Sequence, residues 1–151
     1  MMPAIIDVSL ALYLKEKHLY TYKSSPRIDR IMIDAYRLAE DYEQDVHALF
    51  IIWAMIRIPG SIMRQLMLEF GLTEERVRAA CALPCLHHID LNRVFSATVT
   101  QAQNQGVSML GAEHLFLALL TDGFFQCHLM AWELDTDQIR QAALSVRETD
   151  R

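Results

Sequence analysis

Two places in this sequence combine residue types able to do chemistry at a spacing short enough to matter. The first is Glu113-His114, a carboxylate and an imidazole that interrupt an otherwise apolar run from Leu110 to Leu120. If that run is helical, the couplet lies in the opening turn, where a carboxylate gains from the positive end of the helix dipole. Read from the residues alone, the pair is a structural first-turn acid beside a buried, hydrogen-bonded imidazole. The second is Cys81-x3-Cys85-x-His87-His88, a ligand set that zinc accepts. Its spacing lacks the distant second pair of the usual zinc frameworks, and Pro84 marks it as a connector, so it reads as free thiols and linker histidines. Cys127 beside His128 is a nucleophile and a base by type only, because neighbours on a helix point in different directions. No catalytic residue, metal site or cofactor is assigned.

The elements that must position these residues follow from the apolar runs. Upstream of Leu110–Leu120 lies a cousin, Val46-His47-Ala48-Leu49-Phe50-Ile51-Ile52-Trp53-Ala54-Met55-Ile56. A helix apolar on every side must be surrounded by other elements, and both runs fall short of the about 20 residues that span a bilayer. Two buried rods in one chain of 151 residues suggest a plan used twice. A chain of this size buries roughly 68–70% of its unfolded surface and needs no disulfide or metal to fold. With 52% hydrophobic and 22% charged residues it is globular, and five Gly and four Pro are too few for a turn-dense β architecture. The net charge of −5, without a concentrated Lys/Arg face, argues against nucleic acid as partner. Three cysteines and a start that lacks a basic leader point to a reducing, cytoplasmic location.

Along the chain the helical period recurs. Residues 1–24 read as an extension: a helix from Ala4 to Lys17, then an extended connector through Tyr20 and Tyr22. It either packs on the body or serves as an apolar arm for a second copy. Ser25-Pro26 opens a helix carrying Ile28, Ile31, Met32, Ala35 and Ala39 on one face. The first rod follows and ends at Pro59-Gly60. Ile62, Leu66, Met67 and Phe70 then lead to Gly71 as a helix stop and Thr73 as a cap, before Val77, Ala80 and Cys81. The order repeats: Leu91, Val94, Phe95, Thr98 and Ala102 up to Gly106; the second rod; Phe124, Cys127, His128 and Met130 leading to Trp132; Asp135 before Ile139, Ala142, Ala143 and Val146. Trp53 and Trp132 read as core anchors, and Met32, Met55, Met63 and Met67 as core filler. Tyr36 and Tyr42, among Glu40, Asp41, Glu43 and Asp45, read as a solvated helix end or an acidic-aromatic patch. No strand pattern appears. The fold class is all-α: duplicated four-helix repeats in pseudo-twofold relation, about eight helices, with repeat 1 over 25–83, a linker over 84–89 and repeat 2 over 90–147.

Several of these segments resemble the Clp N-terminal repeat, the double four-helix domain found in front of AAA+ unfoldases of the ClpA, ClpB, ClpC and ClpV kind. Gly111-Ala112-Glu113-His114-Leu115-Phe116-Leu117-Ala118-Leu119 is similar to that family's Gly-Thr-Glu-His-hydrophobic segment. Ala102 to Gly106 resembles its Ala-x-x-x-Gly, Phe70-Gly71-Leu72-Thr73 its Leu-Gly-hydrophobic turn, and Gly123 its post-helix glycine. In this chain the Glu-His couplet of repeat 1 is replaced by Leu49-Phe50, the Thr before Glu-His is Ala112, and the glycine before the last helix is Glu133. The resemblance implies a non-enzymatic module that docks a peptide, adaptor or partner helix in an apolar groove between the repeats. It also implies contact residues at Ala112, Glu113 and His114 and at their counterparts Leu49 and Phe50. In relatives akin to ClpC the equivalent Glu helps hold phosphorylated arginine. The sequence contains no Gly-x-x-x-x-Gly-Lys-Ser/Thr phosphate loop, so ATP hydrolysis by that route would need AAA+ modules from elsewhere. Three alternatives stay open: a ClpV-type domain gripping a type VI secretion sheath helix, a stand-alone regulator that dimerises through the N-terminal extension, and a small helical enzyme or metal protein using Cys81, Cys85, His87 and His88.

Overall fold

The computed structural model describes residues 9–85 and 89–146. Within them the chain forms nine helices and one two-stranded ladder. In order these are α1 (Leu10–Glu16), β1 (Lys23–Ser24), α2 (Pro26–Asp41), α3 (Ala48–Ile56), α4 (Ile62–Glu69), α5 (Glu74–Cys81), α6 (Leu91–Gln105), β2 (Met109–Leu110), α7 (Ala112–Leu119), α8 (Gly123–Ala131) and α9 (Thr136–Leu144). The expected all-α class holds, and α2–α5 correspond in order and length to α6–α9.

The rods α3 and α7 form the centre. Every residue of both is buried, and they pack against each other. Around them the packing is matched: α2 lies on α3 as α6 lies on α7, and α5 covers α3 as α9 covers α7. The faces read from the sequence are largely those observed, with Ile28, Ile31, Met32, Ala35 and Ala39 buried on α2 and Val94, Phe95, Thr98 and Ala102 on α6. Met32, Met55, Met63 and Met67 fill the core as expected. One face is out of phase. On α8 the buried residues are Phe125 and Leu129, not Phe124, Cys127 and Met130. The segment Gly-Phe-Phe-Gln-Cys-His-Leu-Met is apolar enough on all sides that its period does not select a face.

Local chemistry explains where the helices begin and end. Ser25, Ser61, Thr73, Asp90, Asp122 and Asp135 each accept a first-turn backbone N–H on their side-chain oxygen, satisfying donors that a helix leaves orphaned. The stops are equally regular. Glu43, Gly71, Gly106 and Glu133 all have positive φ, between 54° and 91°. Each is followed by a residue whose N–H reaches back to close the last turn: Gln44 to Ala39, Leu72 to Met67, Val107 to Ala102 and Leu134 to Leu129, at 2.8–3.1 Å. These are Schellman stops, in which a left-handed residue returns orphan carbonyls to hydrogen bonding. Glu133, which stands where the resemblance has glycine, adopts the glycine conformation nonetheless, at φ 59°.

One expectation is corrected. The chain does contain a strand pair: β1 and β2 run parallel, Lys23 against Met109 and Ser24 against Leu110. Strands of two residues carry no alternation for a sequence pattern to report. Of the two readings for residues 1–24, the described part follows the packed one. Leu10, Tyr13 and Leu14 are buried, α1 packs on α6, and Tyr13 meets Phe95 edge-on at 5.7 Å. The sequence period puts Ile5, Val8, Leu12 and Ala11 near one face of this helix. Ile5 and Val8 lie outside the described residues, while Leu12 is half-buried and Ala11 exposed, so the buried face is Leu10, Tyr13 and Leu14 instead.

Replacing Ile52 or Leu117 by Ala removes a fully enclosed side chain, and each substitution is expected to cost about 2–5 kcal/mol in chemical denaturation. Exposed Glu133 and Glu43 offer the opposite test. Substituting either by Gly relieves a left-handed backbone and is expected to stabilise the fold by about 1 kcal/mol, read as a higher melting temperature.

Candidate functional site

The Glu-His couplet sits where the sequence places it, in the first turn of α7, but it does not reach the surface. Glu113 and His114 are both 0% exposed, as are Leu49 and Phe50, and Ala112 is 2% exposed. The α7 N-cap is Gly111, which has no side chain to offer. His114 supplies what is missing: its Nδ1 accepts the Gly111 N–H at 2.9 Å. That bond fixes the tautomer, so Nε2 carries the proton and donates to Gln105 Oε1 at 3.1 Å. Glu113 Oε1 lies 3.9 Å from the same Nδ1.

Repeat 1 solves the same problem with a histidine one turn earlier. His47 is itself the N-cap of α3, and its Nδ1 accepts the Leu49 N–H at 3.2 Å. Its ring lies 4.4 Å from that of Phe50, the counterpart of His114, and 4.8 Å from that of Phe124. In both repeats, therefore, an imidazole closes the start of a buried rod. Ala112, Glu113, His114, Leu49 and Phe50 are all enclosed at the starts of the rods.

The thiols are also placed apart. Cys81 is buried, and that burial pushes its thiol up to about 12. Cys85 is half-buried and Cys127 exposed. His87 and His88 lie outside the described residues, and no group of metal-ligating side chains forms among the described ones. Tyr42 is an aromatic prop against Phe50 and Trp53 rather than part of a surface patch. Tyr36 is pushed up to about 12 by burial and, secondarily, by the nearby Asp45 charge.

An opening between the repeats does exist, elsewhere. Where α5 of repeat 1 runs beside α8 of repeat 2, a shallow hollow of about 350 Å³ is lined by Arg76, Ala79, Ala80, Leu83, His128 and Trp132. Leu83 is 63% exposed. The Arg76 guanidinium sits over the Trp132 ring, 5.8 Å from its centroid, and its Nη1 donates to the Gly71 carbonyl at 3.1 Å. His128 donates from Nδ1 to the Phe124 carbonyl at 3.1 Å and stands 5.5 Å, ring to ring, from Trp132. Trp132, expected as a core anchor, is instead half-buried as the wall of this hollow, whereas Trp53 is buried and its indole N–H donates to Glu74 Oε2 at 2.9 Å. Sequence reading passed over Arg76 and Leu83. The available signal was a bare leucine beyond the last buried position of a polar helix. A second hollow of about 420 Å³ lies between α1, α2 and the start of α6, where Ser9, Glu16, Asp90 and Asn92 make it polar.

The duplicated helical scaffold itself is a recognisable class of fold. Two solved structures match it over most of the chain. The Hsp104 N-terminal domain from Candida albicans matches with a TM-score of 0.69 at 19% identity, over 82% of this chain and 90% of that one. The N-terminal domain of the caseinolytic protease associated chaperone ClpD from Arabidopsis thaliana matches with a TM-score of 0.62 at 20% identity, over 83% and 94%. No family model matches the sequence, and neither does any curated protein. The chain has the Clp N-terminal domain fold.

His114→Ala is expected to leave the buried Gly111 N–H and the Gln105 amide without their partner. The cost is about 1–3 kcal/mol in denaturant titration, with secondary structure retained in far-UV circular dichroism.

Proposed function

We propose that this domain is a non-enzymatic docking module. It receives an apolar-anchored segment of a substrate or adaptor protein on behalf of a AAA+ unfoldase, in the hollow between α5 and α8. The hollow carries the reading: apolar side chains of both repeats, Ala80 and Leu83 from one and Trp132 from the other, remain at the surface. Most other apolar residues fill a large shared core, while Tyr20 and Met130 are exposed outside this hollow. Pockets that take an anchoring side chain are of this kind, mostly apolar with a few placed polar groups. The fold supports it too, since both solved relatives are N-terminal domains and one is named as a protease-associated chaperone. Among the described residues no helix is long and apolar enough to cross a membrane.

The specificity assigned to Glu113 by resemblance moves, in this reading, to the side chains that line the hollow. Glu113, His114, Ala112, Leu49 and Phe50 contribute by holding α3 and α7, on which the two walls rest. ATP hydrolysis belongs to AAA+ modules outside these 151 residues.

Trp132 provides the readout. Acetylated, amidated peptides bearing one Leu or Phe anchor are expected to change its fluorescence on titration, and Trp132→Phe should abolish the change. Ala80→Glu, which places a charge in the hollow, should weaken binding by about tenfold or more while leaving the melting temperature near that of the parent chain. Peptides that bind Ala80→Glu and the parent equally would remove the docking site from this hollow.

A further inference from the structure

Resting on that docking reading, we propose that the hollow selects segments in which an apolar side chain is followed, within one helical turn, by Asp or Glu. The carboxylate is held by Arg76.

Three observations converge on this. Arg76 makes no ion pair with any described residue; its side chain gives one hydrogen bond to the Gly71 carbonyl and lies over Trp132. A guanidinium has five N–H donors in a rigid fork matched to a carboxylate, so most of that capacity faces the opening unused. The acid two positions away, Glu74, accepts from the Trp53 indole at 2.9 Å and makes no ion pair with Arg76.

The second observation is geometry. Stacking on Trp132 and the bond to Gly71 hold the guanidinium at the rim, beside walls that are otherwise apolar at Ala79, Ala80 and Leu83. A ligand that fills the apolar floor therefore brings its next residues past a pre-positioned cation, which lowers the ordering cost of the pairing. Third, His128 has spent Nδ1 on the Phe124 carbonyl and makes no other hydrogen bond with a described residue. No Asp or Glu among the described residues lines the hollow to repel a carboxylate. An all-apolar ligand would cover Arg76 without satisfying it, which costs free energy. A ligand with Lys next to the anchor would add like-charge repulsion.

The test uses the full chain and three acetylated, amidated peptides identical except for the residue after a Leu anchor: Glu, Gln or Lys. The Glu peptide is expected to bind roughly threefold to tenfold more tightly than the Gln peptide at low salt, with Lys weakest. The Glu advantage should shrink as salt rises. Arg76→Gln should remove the difference between the Glu and Gln peptides, and Arg76→Lys should keep part of it. Thermal melts of both variants confirm that they are folded, since Arg76 lies on an exposed helix surface. Equal affinity of the parent chain for Glu and Gln peptides would overturn the selectivity while leaving docking intact. Absence of binding by all three would overturn the docking reading itself, and this inference with it. A peptide ending in Leu with a free terminal carboxylate, if it bound more tightly than the Glu peptide, would overturn the assignment to an acidic side chain.

Discussion

A helix with no polar face cannot be left at a surface, and this chain has two of them. Everything else is arranged to meet that constraint. The rods α3 and α7 touch each other at the centre, and each is then sheathed by a long helix and a short one from its own repeat. The enclosure is so complete that even the polar residues at the rod starts, His47, Glu113 and His114, are closed off from water. Buried polar groups of this kind are tolerated only with partners, and the imidazoles find theirs in the backbone N–H groups of the rods' first turns.

The two repeats reach one architecture through different residues. A histidine at the N-cap position starts one rod, and a histidine three residues inside the helix starts the other. A left-handed stop is glycine at Gly106 but glutamate at its counterpart Glu43, and glycine at Gly71 but glutamate at Glu133. What persists is the hydrogen-bond requirement of the backbone, a stricter template than any one side chain. The same reasoning explains why the Glu-His couplet can vanish from repeat 1 without loss of the rod, because its work there passes to His47.

Much of the fold was legible in sequence because it is written in periodic apolar faces and in Ser, Thr, Asp and Gly punctuation. The rods, the caps at Ser25, Thr73 and Asp135, and the stops at Gly71 and Gly106 could all be read directly. The phase of α8 could not, since Phe124 and Phe125 are equally apolar and only the neighbouring helices choose between them. The β1–β2 ladder was silent for want of length. The candidate site was the least legible part. Glu113 attracted notice because it is a charged residue in an apolar run, and the structure encloses it fully. The hollow draws on Arg76 and Leu83, ordinary residues on an ordinary polar helix, which acquire meaning only when α8 is laid beside them.

The small ladder has a consequence for chronology. Ser25 is fully enclosed and its N–H is answered by the carbonyl of Leu110, while Lys23 is answered by Ser108. A chain emerging from the ribosome thus presents its first repeat long before the groups that complete it exist. Closing so wide a loop is slow relative to forming neighbouring helices. The first half must wait, partly assembled and with an apolar rod uncovered, for the second half to be made. Duplication has left two look-alike units that are nonetheless not separable, because the final clasp of the earlier one is forged by the later.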